Sequence, residues 1–163
     1  MIAYMERTRT YYASLGYPAY QWAHHNDVPF AAPGTDINEA TLALITTAAP
    51  YQPALGDQGP GSAYNAAAKF FEVYTVAATP APDLRISHLG YDRKHTNAED
   101  PETFLPVSQL EAAVTERRLG RLAAQLIGVP TNRSQRLTLE QDAPNALAAF
   151  RTLNADVALF VPS

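Results

Sequence analysis

The densest cluster of chemically capable side chains lies in "RISHLGYDRKHT", Arg85 to Thr96. It brings together Arg85, His88, Asp92, Arg93, Lys94, His95 and Thr96. Histidine exchanges protons near neutral pH, and a nearby carboxylate orients and charges it. The loop is therefore a candidate for proton transfer. Arginine offers a planar fork suited to carboxylates. A second polar stretch, "PTNRSQR", adds Asn132 and Arg133. The competing reading of both stretches is a solvated surface loop, and spacing alone does not separate the two.

Other combinations carry less. His24 and His25 with His88 and His95 lack the spacing of a zinc site, so no metal is expected. "GDQGPGS", Gly56 to Ser62, matches no phosphate-loop pattern and reads as a plain glycine-rich loop. Tyr11, Tyr12, Tyr17 and Tyr20 near Trp22 read as packing the N-terminal helix against the sheet. No GxSxG motif occurs, and reaction type does not follow from these residues.

The elements that must position these groups alternate between helix and strand. Residues 1–16 predict a helix stopped by Gly16, followed by an ordered loop to residue 40. Thr41–Thr47 is apolar on both faces, as a central parallel strand is. A helix is expected through "AYNAAAKFF", then strands at Glu72–Ala78 and Leu84–His88. Residues 107–128 predict helix, broken at Gly120, with Leu119, Leu122 and Leu126 turned to the core. Asp142 is expected to cap a helix over 143–153, with Pro144 in its first turn and Asn154 as its stop. Ala146, Leu147, Phe150 and Leu153 form its inner stripe. "DVALFV" then predicts a buried strand. The pattern implies one α/β domain over 1–163, with an at least partly parallel sheet flanked by helices in Rossmann-like or flavodoxin-like layering.

The 163 residues suffice for one core. The chain carries a net charge of −4 and no cysteine. No basic field points to nucleic acid, and no apolar run reaches the roughly 20 residues of a membrane span. No secretory signal is evident, so a cytoplasmic location is expected.

Three stretches, "GDQGPGSAYNAAAKFFEVY", "DLRISHLGYDRKHTNAEDPETFLP" and "DVALFVP", resemble the glycine/sarcosine/betaine reductase selenoprotein B family, which includes relatives of D-proline reductase. "LRISHLGYDRKHT" is the most specific of them. The resemblance implies reductive C–N cleavage of a small amino acid or betaine, with electrons from a thioredoxin-like donor. It implies a selenocysteine or cysteine immediately after Ser163 as redox nucleophile, ionised near neutral pH. It also places His95 and Asp92 in proton transfer, and Arg85, His88, Asn132 and Arg133 around an anionic substrate. The expectation is a chain terminated at a UGA codon or cut before it, and inactive as it stands; a naturally short relative is the competing account. The alternatives are a non-catalytic partner subunit, within a homo-oligomer or reductase complex, and a small-molecule-binding module.

Overall fold

A computed structural model describes residues 3–29, 31–58, 65, 68–86, 99–131 and 134–162. The chain divides into two compact units, Met1–Ala31 and Ala32–Ser163.

The first unit holds helix α1, Ala3–Ser14. Gly16 ends it with φ +76°, a conformation that glycine adopts at little cost. Tyr12 then gathers the following loop. Its ring centroid lies 5.3 Å from that of Tyr20, which stands edge-on to Trp22 at 4.8 Å. These rings pack on one another within this unit.

The second unit is an α/β fold. Strand β1, Thr41–Thr46, is buried along its whole length. After it come β2 (Ala49–Pro50), β3 (Tyr74–Ala77), β4 (Leu84–Arg85), helix α2 (Val107–Thr115), β5 (Arg121–Leu122) and β6 (Gln125–Gly128). A short helix α3 (Gln135–Leu137), a π-helical turn (Thr138–Asp142), helix α4 (Ala143–Thr152) and β7 (Val157–Val161) complete it. Strands β5 and β6 lie end to end along one edge of β1, and β7 along the other, all parallel to it. Strand β3 adds an antiparallel neighbour outside β6. Thus β1 is the central strand its two-faced apolar pattern predicts.

Alternate residues of β1 feed two cores. Leu42 and Leu44 join Leu126 beneath Leu110, Ala113 and Val114 of α2. Ala43 and Ile45 join Ile127 beneath Ala146, Ala149, Phe150 and Leu153 of α4. The sheet is therefore layered between helices, as expected.

Several local expectations are corrected. "RLAAQLIG" is strand, not helix. The run is short and apolar, and periodicity alone cannot separate a buried strand from a buried helix there. Helix α2 ends instead in a reversal at Arg117, whose φ is +59°. The Arg118 N–H donates to Ala113 O at 2.8 Å, closing the helix terminus in the manner of a Schellman turn. Glycine fits this conformation better than arginine does. Arg117→Gly is expected to raise stability by up to about 1 kcal/mol in urea denaturation.

The helix cap is also elsewhere. Ser134 Oγ accepts from the Leu137 N–H at 3.2 Å, so helical structure starts at Gln135. Asp142 is itself helical and makes no cap bond. The π-turn bond from the Ala143 N–H to Thr138 O falls immediately before Pro144. That widened turn accommodates a proline, which has no N–H for a regular helical bond. Leu147 is exposed rather than on the inner stripe. Asn154 stops the helix as expected, at φ +50°.

Strand β7 is not fully buried. Val157 and Val161 are partly covered, while Leu159 and Phe160 are exposed. Its place is fixed at the start, where Asp156 Oδ2 accepts from the Thr41 N–H at 2.8 Å. The helix expected through Ala63–Phe71 is not α-helical where it is described, at Asn65 and residues 68–71.

Candidate functional site at the carboxyl edge of the sheet

In parallel α/β sheets, ligands bind beyond the carboxyl ends of the strands. Four segments reach that edge here. Strand β1 ends at Thr46, in register with Gly128 of β6 on one side and Val161 of β7 on the other. The Val129 N–H donates to Thr46 O at 2.9 Å, so the turn after β6 starts at this edge. Strand β2 follows β1 after two residues, and β4 pairs with it antiparallel, Ala49 opposite Arg85. The chain leading into "SHLGYDRKHT" is therefore rooted at the same edge.

Arg85 is the one sequence-predicted site residue among those described. Asp92, His95, His88, Asn132 and Arg133 lie outside the described residues. The segments that carry them leave β4 and β6 at the carboxyl edge. The Arg85 guanidinium engages Asp83 with two nitrogens, Nε to Oδ1 and Nη2 to Oδ2 at 3.0 Å. It also stacks 4.6 Å from the Tyr51 ring centroid. The hydrogen bond to Asp83 holds the Arg85 pKa above its already high ordinary value. Much of its donor capacity is thus committed inside the protein. What remains is a fork fixed in direction by a carboxylate and a ring. Such pre-orientation costs a ligand little ordering entropy.

The ground beneath Arg85 is tightly bonded. Buried Gln58 donates through Nε2 to Gln52 O at 2.7 Å and to Gly56 O at 3.1 Å, and its Oε1 accepts from the Gln52 N–H at 3.1 Å. Asn65 Nδ2 donates to Leu55 O at 2.7 Å. In its described part, the glycine-rich loop is closed around a glutamine side chain. Thr46 Oγ1 accepts from the Ala48 N–H at 3.1 Å and fixes the bend out of β1.

Tyr74 braces the bend from the other side. Its hydroxyl donates to Ala48 O at 2.6 Å. The ring lies across Gly128, its partner in the β3–β6 pairing, where an added Cβ would meet ring carbons at 1.9 Å. Burial pushes the phenol well above its usual pKa. Because the folded pKa is raised, this stabilisation is complete below about pH 10 and is lost as pH rises further. Tyr74→Phe is expected to cost about 1–2 kcal/mol at pH 8. The gap from wild type should narrow in urea titrations above about pH 10.

Sequence reasoning missed Tyr51, Asp83, Gln58 and Tyr74. The i, i+2 spacing of Asp83 and Arg85 was the legible signal, since alternate strand residues share a face. The Tyr74–Gly128 match spans two distant segments and has no local signature.

A model of the glycine/sarcosine/betaine reductase selenoprotein B family matches residues 17–149. The chain belongs to this family. The matched span covers β1 to β6, "LRISHLGYDRKHT" and most of α4, which bears out the family read from the sequence, while "DVALFVP" lies beyond the matched residues. No curated protein and no solved structure matches the chain. Among the described residues no helix is long and apolar enough to cross a membrane.

Proposed function

We propose that this selenoprotein B family member forms the substrate-holding part of a reductase that cleaves a small amino acid or betaine with thiol or selenol chemistry. The observation that carries the reading is the convergence of β1, β4, β6 and β7 on one carboxyl edge, with Arg85 held ready there by Asp83 and Tyr51. In this reading Arg85, Asn132 and Arg133 hold the substrate carboxylate. His95, oriented by Asp92, supplies or removes a proton, and His88 supports either role.

The selenol or thiol that the family description implies would supply a nucleophile ionised near neutral pH. The 163 residues contain no cysteine, so this group comes from outside them. The register of Val161 with Thr46 sets the end of β7 beside the start of the bend that leads to Arg85. The chain's own residues would bind the substrate, orient it and handle protons. A thioredoxin-like donor would return the electrons.

A second reading, a partner subunit without redox chemistry of its own, is favoured by the absence of cysteine and by the exposed Leu159 and Phe160 on β7. Titration calorimetry with glycine, sarcosine, betaine and D-proline separates the two. The substrate-holding reading expects saturable heat with at least one of these, weakened about tenfold or more by Arg85→Ala. No heat with any of them, and no change in melting temperature, would overturn it in favour of the partner subunit.

A further inference from the structure

The amino-terminal edge of the sheet carries a second feature, away from Arg85. A cleft of about 630 Å³ opens there, within the size range of small-molecule sites. Its floor is apolar, from Ala78, Val114, Leu122 and Ala123, and its rim holds Thr79, Glu111, Thr115 and Arg121. Two of these side chains are held in place by hydrogen bonds. Arg121 Nε donates to Thr41 Oγ1 at 2.7 Å, which leaves both terminal nitrogens of the fork for a ligand. Glu111 Oε1 accepts from the Thr79 hydroxyl at 2.7 Å, which leaves its second oxygen. Opposite charges on one rim would ordinarily pair, yet Glu111 and Arg121 form no ion pair with each other or with any other described residue.

We infer that this cleft binds a carboxylate-bearing small molecule whose far end carries a hydrogen-bond donor, with a short apolar chain between them. The Arg121 fork takes the carboxylate in bidentate fashion. The apolar floor covers the chain, and Glu111 accepts from the donor. The two rim charges do not pair with each other, so one ligand carrying a carboxylate and a donor can meet both, and glycine, which lacks the apolar chain, leaves the floor uncovered. The site is distinct in place from the substrate site proposed at the carboxyl edge. It stands or falls independently of that proposal.

The test is an amide chemical-shift titration of the full chain with butyrate, 4-hydroxybutyrate, 4-aminobutyrate and glycine. The expected result is saturable shifts at residues 78–79 and 121–124, with affinity rising from butyrate to 4-aminobutyrate and glycine weakest. Arg121→Gln should weaken all three longer ligands about tenfold or more. Glu111→Gln, which leaves the Arg121–Thr41 bond intact, should abolish the advantage of the amino compound over butyrate. The proposal is overturned by an absence of shifts at these residues up to about 10 mM ligand. It is equally overturned by shifts that survive both substitutions, or by glycine binding as tightly as 4-aminobutyrate.

Discussion

Gly120→Ala should cost about 3–5 kcal/mol, a large part of the stability of a domain this size. A Cβ at this position would lie 2.3 Å from the carbonyl carbon of Glu39 and 2.6 Å from Ala40 O. Both contacts are backbone, so no side chain can rotate away. Relief requires the start of β5 to withdraw from the start of β1. That would break the bonds from the Gly120 N–H to Ile37 O and from the Arg121 N–H to Ala40 O, both 3.0 Å. Gly34→Ala is the matched control. An added Cβ there meets no heavy atom within 4 Å, and its effect should stay within about 0.5 kcal/mol. Urea denaturation followed by far-ultraviolet circular dichroism measures both. Equal midpoints for the two variants would refute the close approach of β5 to β1.

Leu44→Ala should cost about 2–5 kcal/mol. Leu44 is fully buried in the middle of β1 and packs in the core beneath α2. Neighbouring strands hold β1 along both edges, so the backbone cannot sink to fill the space, and the cavity term adds to the lost transfer energy. Leu147→Ala provides the comparison. The two leucines are chemically identical, but Leu147 is 47% exposed on α4, and its loss should cost well under half as much. The ratio of the two costs tests which residues the sheet buries, whatever the absolute stability.

The strand at Thr41–Thr46 was legible because its run is apolar on both faces and rich in β-branched residues, as a centrally placed strand is. Gly16 and Asn154 were legible as helix stops because their conformational freedom acts locally. Arg121–Gly128 misled because Leu122 and Leu126 fit a helical stripe as well as they fit a sheet, and only the partner strand decides. Asp142 misled for a related reason. It precedes an alanine–proline pair that resembles a helix start, while a π-turn lets the helix pass through. For the site, the chemistry of Arg85 was evident from its residue type. Its fixed orientation was not, because it depends on Tyr51, which lies 34 residues earlier in the chain.

The single tryptophan, Trp22, stacks with Tyr20 inside the Met1–Ala31 unit. Intrinsic emission excited at the indole band therefore reports on that unit, while most of the described helix and all the described strands, and so most of the circular dichroism signal, belong to the other. Denaturation curves from the two probes therefore weight the two units differently. If the curves coincide for wild type and for Gly120→Ala alike, the two units unfold as one cooperative body. If the dichroism curve of Gly120→Ala shifts while its emission curve stays, the aromatic cluster around Trp22 is an autonomous folding unit.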